Sequence, residues 1–330
     1  MALFKKFNFR AEAEINTGFG VNSSDYGGRF VNKNGIPNIE KKGVDFLESI
    51  SLYHTLLNLR AWQFFSMIFI FFIAVNLLFA VVYFLFGVNH LSGIVYNSSL
   101  DKFLEAFFFS CQTFTTVGYG RINPIGHTAS AIAAFEALIG LLSFALVTGL
   151  LYGRFARPRA YLKFSKNALL SPYRNITAIM FRVAPFKNTT LIDAEVKVSL
   201  GLTVENDGKK ENKFFQLPLE FSTVNALTLN WTIVHPINEK SPLYGLTKED
   251  FTNMRGEILV YLKAFDDMFS NNVVARTSYT FSEIIHGAKF LPMYSASDQN
   301  NKTILQLDKL DLYIDAEVSY GTVENKSIEP

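Results

Sequence analysis

The chain divides by its hydrophobic pattern into two halves. The first carries long apolar runs separated by short polar stretches. The second changes to a two-residue period. Between Arg60 and Asp101 there is no Asp, Glu, Lys or Arg. Inside that stretch residues 62–86 are apolar over more than the about 20 residues a helix needs to cross a bilayer. Trp62 and Tyr83 stand near the two ends, where interfacial aromatics sit. Asn76 is a lone polar group inside this span and is read as a bonding partner for another helix. Residues 128–153 form a second span, with Glu136 as its only charged residue. Between the spans, residues 101–114 are helical in pattern but too short to cross. They predict a re-entrant helix whose C-terminal end turns its partial negative charge toward a central cavity. Before the first span, residues 44–59 place Phe46, Ile50, Tyr53 and Leu57 on one helical face and Asp45, Glu48, Ser49 and Thr55 on the other. A helix so placed lies in the headgroup plane; a surface helix of a globular domain is the alternative.

From residue 164 the apolar positions alternate. Ile192–Leu200, Leu227–Ile233 and Ile314–Tyr320 each read as half-buried antiparallel strands, and Ile176–Val183 and Ile258–Leu262 add shorter apolar runs. Several short strands with loops between them predict a β-sandwich. The division expected is therefore an N-terminal segment 1–43, an interfacial helix 44–60, a transmembrane pore domain 61–158 and a β domain 159–330. Residues 28–35 are expected to pair as a strand with that later domain.

Charge matters here by placement. The net charge is only +2 over 330 residues, which gives no case for a nucleic-acid partner. Arg60 precedes the first span, and Arg154, Arg157, Arg159 and Lys163 follow the second. Both flanks are basic, so both termini are placed on the cytoplasmic side, as two spans require. No signal-peptide pattern opens the sequence. The same cations form a belt at the inner headgroups, each contributing about 1 kcal/mol toward anionic lipid. One cysteine, Cys111, excludes an intrachain disulfide. The five histidines show no metal-ligand spacing. Neither a Gly-x-Ser-x-Gly elbow nor a dinucleotide fingerprint is present. No catalytic constellation emerges, and the reading is that of a non-enzyme without an organic cofactor. Glu136, a lone carboxylate at membrane depth, is a functional candidate by position; the alternative is that it is protonated, or hydrogen-bonded in support of the re-entrant segment. Gly140 and Gly149 are either bending points or sites of close helix packing.

The chemistry centres on Thr115-Thr116-Val117-Gly118-Tyr119-Gly120, directly after the re-entrant helix. A pore that strips water from potassium needs stacked oxygens aimed at one axis, and backbone carbonyls supply them when the chain alternates its handedness. Gly118 and Gly120 take positive φ without a Cβ clash. Non-helical backbone at membrane depth is tolerated only inside protein or along a water-filled path. Potassium is then held by Thr116, Val117, Gly118 and Tyr119, with Gly120 closing the outer end, and four subunits are required.

With this hexapeptide between two spans and a β domain behind, the chain resembles the inward-rectifier potassium channels, bacterial members included. The likeness runs from Gly28 to about Tyr320. It is carried by Tyr53-His54 in the interfacial helix, by Gly153-Arg154-Phe155-Ala156-Arg157-Pro158-Arg159, by Ile233–Gly245, and by Ala275-Arg276-Thr277-Ser278-Tyr279. The resemblance implies a cytoplasmic immunoglobulin-like β-sandwich, a homotetramer in the plasma (cell inner) membrane, and pore blockers such as barium or polyamines. Phe144 falls where strong rectifiers carry an acid, so weak intrinsic rectification is implied. Tyr152 falls on the constriction of the inner helices, and Phe144 and Tyr152 together are the implied gate. Asp267, with Asp266 beside it, falls on an acidic position of the cytoplasmic vestibule, and Met268–Asn272 on its flexible apex. Arg154, Arg157 and Arg159 fall on phosphoinositide-contacting positions, and Arg60 lies near another.

Two departures bear on conduction. Gln112 stands where many members carry Glu, and Arg121 follows the hexapeptide where bacterial members often carry Asp. A ring of four Arg121 charges would reduce the local potassium concentration unless the guanidinium folds onto a carbonyl or carboxylate. These residues motivate a second reading, a membrane-anchored β-sandwich receptor or scaffold that does not conduct.

Overall fold

The computed structural model describes residues 28–43, 51–86, 88–206, 209–296 and 302–318. Phe46, Ile50 and the polar partners Asp45, Glu48 and Ser49 of the expected interfacial helix lie outside these residues. The chain forms two compact units. One holds Lys42–Arg157; the other joins the N-terminal segment to the chain from Pro158 onward.

In the first unit, helix α1 (Leu52–Asn58) starts at Ser51, whose hydroxyl accepts from the His54 N–H. Helix α2 (Ala61–Phe86) is the first span. After it comes a tight turn at Val88–His90 and the short strand β1 (Leu91–Ser92). Helix α3 (Ser99–Phe114) is the re-entrant element. It opens on a reciprocal cap in which Asp101 N–H donates to the Ser98 hydroxyl (3.1 Å) and Ser98 N–H to the Asp101 carboxylate (2.9 Å). Strand β2 (Asn123–Pro124) pairs antiparallel with β1. Helix α4 (Gly126–Phe155) is the second span. Phe79, Ala80 and Tyr83 of α2, Ala106 and Phe109 of α3 and Ala133 of α4 share one buried cluster with Leu91 and Ile122. Most other apolar side chains of α2 and α4, such as Phe69, Leu85, Leu141 and Leu146, are uncovered. Both helices are long and apolar enough to cross a bilayer, and their apolar faces are bare on the protomer.

The second unit is a β-sandwich. Its strands are β3 (Leu162–Phe164), β4 (Ala168–Tyr173), β5 (Ile176–Pro185), β6 (Leu191–Asn206), β7 (Lys209–Gln216), β8 (Thr223–Ala226) and β9 (Trp231–Pro236). After the short helix α5 (Lys248–Asn253) come β10 (Arg255–Asp266), β11 (Asn271–Thr280) and β12 (Ile284–His286). Short strands β13 (Ala288–Phe290), β14 (Tyr294–Ala296), β15 (Thr303–Leu305) and β16 (Tyr313–Asp315) complete the unit. One sheet runs β11-β10-β6-β7 with β8 also on β6; the other runs β12-β4-β5-β3 with β9 on β5. The interior holds Ile179, Phe181, Val183, Val196, Val198, Leu200, Leu202, Ile233, Ile258, Val260 and Leu262. These residues recur at period two, because alternate side chains of each strand face the opposite sheet.

Three sequence expectations need correction. In β6 the buried residue is Leu191, with Ile192 only half-buried. A bulge explains this: Asp193 takes φ 48°, and Ile192 and Glu195 pair with Phe265 and Lys263 across β10. The extra residue shifts the phase. The alternation over 227–233 is not one strand: residues 227–230 connect β8 to β9, which lie in different sheets, and only 231–233 are strand. The chain leaves β8, buries Leu227 in the common interior and enters β9 at Trp231. Of the expected strand 314–320, the described residues place Ile314 and Asp315 in a short strand, Tyr313–Asp315, which is exposed; residues 319 and 320 lie outside the described residues.

The N-terminal segment docks by a different means from that expected. Among the described residues its one bridge, Val31 with Pro37, is internal. What fixes it to the sandwich is Glu257, buried in β10, whose carboxylate accepts from the N–H groups of Phe30 (2.5 Å) and Val31 (3.1 Å). Arg29 adds a two-pronged pair to Glu283 (3.0 and 3.2 Å) and donates to the Ser278 carbonyl (2.6 Å). Burial opposes the Glu283 charge, but the Thr280 N–H, Arg29 and Lys33 outweigh it and hold this carboxyl below its ordinary range.

Candidate functional site

The hexapeptide continues directly from α3 and uses up that helix's last carbonyls. Thr115 N–H donates to Cys111 O (3.1 Å), Thr116 N–H to Thr113 O (3.0 Å), and Val117 N–H to Gln112 O (2.9 Å). Gly118 N–H also reaches Gln112 O (3.4 Å). Thr116, Gly118 and Gly120 have φ of 60°, 53° and 82°, so every second residue is left-handed. That alternation brings successive carbonyls to one side of the chain. The expectation placed positive φ on the glycines; Thr116 joins them, held in that conformation with its N–H bonded to Thr113 O. Among the described residues the carbonyls of Thr116, Val117, Gly118 and Tyr119 accept no hydrogen bond, whereas Gly120 O accepts from Asn123 Nδ2 (2.8 Å). The whole segment is exposed on the protomer, Tyr119 to 80%.

Behind it, α4 meets the end of α3 at Gly140. A Cβ there would lie 1.9 Å from the Phe114 carbonyl oxygen. α4 runs unbroken through Gly140 and Gly149, so Gly140 serves close packing and not a bend. One turn earlier Glu136 is fully buried. Tyr83 of α2 donates to its Oε2 (2.7 Å), and Ser110 of α3 bonds its Oε1. The Ser110 hydroxyl also faces Asn76 Oδ1 (3.0 Å). One hydroxyl proton serves one acceptor at a time, so the chain of bonds closes fully with a proton on Glu136. Glu136 and Asn76 thus join all three helices. Gln112 supports the segment through its backbone carbonyl; its side chain makes no hydrogen bond among the described residues.

At the outer end, Arg121 does fold away. Its Nη2 donates to Glu105 (2.6 Å) in the second turn of α3, and its Nη1 to the Gly93 carbonyl (3.3 Å). Of the two residues that motivated a non-conducting reading, Arg121 is therefore accounted for by its partners. Glu105 was missed in the sequence because it lies 16 residues from Arg121, with no local spacing to link them.

At the inner end of α4, Phe144 and Tyr152 are 73% and 76% exposed on the protomer. Gly153 lets α1 approach: the Tyr53 hydroxyl oxygen lies 3.0 Å from where a Cβ would stand. Arg157 donates to Asn58 Oδ1 (2.7 Å), tying the end of α1 to the end of α4. Arg154 is half-buried with its guanidinium over the Phe64 ring (5.1 Å), and its Nη1 has no hydrogen-bond partner among the described residues. Arg60 is exposed and lines an open groove of about 620 Å³ with Ser51, His54, Thr55, Asn58, Leu59 and Gln63. In the other unit Arg159 and Lys163 are exposed, Lys163 over the Phe186 ring (5.4 Å).

The two acidic residues expected in the vestibule separate. Asp267 is exposed, but Asp266 is fully buried. Asp266 Oδ1 accepts from the N–H groups of Met268 (3.0 Å) and Phe269 (3.4 Å), capping the turn into β11. It is a fold-forming residue of the apical loop and lines no solvent path. In that loop Ser270 is left-handed, with φ 47°.

Comparison with known proteins adds the following. A family described as "Inward rectifier potassium channel C-terminal domain" matches residues 162–327, and one described as "Ion channel" matches residues 59–156. The chain is 32% identical to inward rectifier potassium channel Kirbac3.1 of Paramagnetospirillum magnetotacticum, over 84% of this chain and 92% of that one. It is 27% identical to ATP-sensitive inward rectifier potassium channel 12 of Gallus gallus, over 80% of this chain and 67% of that one. A third likeness, 28% over 59% of this chain and 49% of the other, is to G protein-activated inward rectifier potassium channel 4 of Bos taurus.

Proposed function

This chain belongs to the inward-rectifier potassium channel family, and from that membership we propose that four copies close one pore whose ion-binding residues are Thr116, Val117, Gly118, Tyr119 and Gly120. The observation that carries the assignment is the backbone of the hexapeptide. Its early N–H groups are bound to α3, its φ angles alternate in sign, and its inner four carbonyls accept no hydrogen bond among the described residues. Potassium exchanges water for those carbonyls and advances by displacement between neighbouring sites. Potassium is cargo here, and conduction draws on no organic cofactor.

The remaining roles follow from position. Phe144 and Tyr152 are the gate: bulky, uncovered on the protomer, and on the helix that continues from the pore. An aromatic at Phe144 gives polyamines no counter-charge, so intrinsic rectification is weak. Asp267 is the remaining vestibule acid. Arg60, Arg154, Arg157, Arg159 and Lys163 take anionic lipid, phosphoinositides included, at the inner leaflet of the plasma (cell inner) membrane, with both termini cytoplasmic. Arg154 and Arg157 already hold protein partners, so lipid competes there with Phe64 and Asn58.

The test is rubidium uptake into vesicles holding the purified protein, with and without barium and with a few per cent phosphoinositide. Barium-sensitive uptake is expected, and lipid is expected to change its rate. Uptake that barium leaves untouched would count against the filter assignment. Tyr152→Ala is expected to raise the flux; an unaltered flux removes the gate assignment.

A further inference from the structure

We infer that Glu105 is a conductance-determining residue: together with the Gly93 carbonyl it holds the Arg121 guanidinium off the ion path, so that a cation at the outer mouth does not repel potassium. The argument rests on the four-copy pore proposed above, in which every filter is followed by its own Arg121.

Both the backbone and the side chain of Arg121 are fixed. Gly93 is left-handed, φ 81°, and a Cβ on it would lie 1.8 Å from the Arg121 carbonyl oxygen. Only glycine lets the loop before α3 lie this close to the chain leaving the filter. Leu91 and Ser92 pair with Pro124 and Asn123, Ile125 N–H donates to His90 O (2.6 Å), and Ile122 is buried beside Leu91 and Phe109. The main chain at 121–125 is thereby pinned. From that base the guanidinium reaches Glu105 at 2.6 Å and Gly93 O at 3.3 Å. Glu105 is mostly covered, and Arg121 is half-exposed. An ion pair this exposed does little for stability. Its consequence lies in where the charge is held. Paired, each Arg121–Glu105 couple is neutral overall. Unpaired, four cations would ring the mouth.

The size of the effect follows from Coulomb's law. Four unit charges at about 10 Å from a potassium ion, in water, lower its local concentration about sevenfold at 10 mM ionic strength and about twofold at 150 mM, where the screening length is shorter. Loss of Glu105 should therefore show as a conductance defect that salt relieves. A merely structural defect has no reason to recover with salt.

The experiment is single-channel conductance in planar bilayers, in 10 mM and 150 mM symmetrical potassium, on protein checked for the wild-type assembly state. Glu105→Gln is expected to lower conductance about sevenfold relative to wild type in low salt and about twofold in high salt. Arg121→Gln, and Glu105→Gln combined with Arg121→Gln, are expected to conduct at or above the wild-type level in both. The exchange of Glu105→Arg with Arg121→Glu is expected to restore most of the loss and covers the case in which the single variant assembles poorly. Glu105→Gln conducting like wild type in 10 mM potassium overturns the inference, as does a double variant no better than the single. Wild-type conductance by itself tests the pore assignment, so the two failures are distinct.

Discussion

His235 should make the β-sandwich lose stability in weak acid. It sits in β9, almost wholly buried. Its Nδ1 lies 2.6 Å from the Pro218 carbonyl, which only accepts, so Nδ1 carries the proton. Nε2, 2.8 Å from the Ser241 hydroxyl, then accepts from it. Burial disfavours the charged ring more strongly than the Pro218 bond favours it, and the pKa falls from 6.5 to about 4. The unfolded chain therefore binds more protons between these values than the folded one. Stability from this group is complete above pH 6.5, declines as pH falls, and is gone below about pH 4. The full loss is about 3 kcal/mol at about 1.4 kcal/mol per pH unit. Glu283 and His286, whose folded pKa values are also lowered, contribute in the same direction. The comparison that isolates His235 is with His235→Gln, which cannot take up a proton. Urea unfolding of the full chain in detergent can be followed by Trp231 in a Trp62→Phe background, since the sequence holds only these two tryptophans. Wild type should lose about 3 kcal/mol more than His235→Gln between pH 6.5 and 4. Equal losses in the two proteins would refute the assignment.

Two further outcomes follow from the packing. Gly140→Ala drives a methyl group to within 1.9 Å of the Phe114 carbonyl and should destabilise the assembly by about 1–3 kcal/mol, seen as a lower unfolding midpoint and slower barium-sensitive flux; Gly149→Ala, which meets nothing within 4 Å in the protomer, should leave both unchanged. Glu257→Gln removes one of two carboxylate acceptors for the Phe30 and Val31 N–H groups, at about 1–3 kcal/mol, and hydrogen exchange at residues 30 and 31 should accelerate; unchanged exchange would show that the Arg29 pair alone holds the segment.

What the sequence revealed and what it concealed have separate physical causes. The spans, the re-entrant helix and the filter were legible because each is a local pattern. Length and lack of charge fix α2 and α4, and the glycines at 118 and 120 permit two of the three left-handed residues of the alternating backbone. The sandwich was legible as alternation, but alternation records only which side chains face the interior. It does not record which sheet supplies the strand. Leu227 and Trp231 face the same core from a crossover and from β9, so a connection and the strand after it read as one. The bulge at Asp193 was hidden for a related reason, since Leu191 and Ile192 are both apolar and only the pairing with β10 decides between them. Contacts distant in sequence were out of reach. Asp266 next to Asp267 reads as a surface pair, and only the turn that its carboxylate caps shows why one is buried. Glu105 and Arg121 are an acid and a base in two separate stretches, and nothing along the chain tells which of several acids is the partner.

The hydrogen bonds of the filter also explain why its support comes from three directions. A segment of left- and right-handed residues in alternation has no ladder of its own, and each residue forced to positive φ is held at some cost. The inner end is held by α3, whose carbonyls take the N–H groups that the segment cannot satisfy internally. The outer end is held by the β1–β2 ribbon through Asn123 on Gly120 O. The back is held by α4, through the bare backbone of Gly140 against Phe114 and through Glu136, which reaches both other helices. Each support uses an N–H group, the Gly120 carbonyl or a remote side chain. None uses the carbonyls of Thr116, Val117, Gly118 or Tyr119. A support that drew on those four oxygens would compete with the ion, so the scaffold can be rigid and the oxygens still available only if the two sets of groups are kept apart, as they are here.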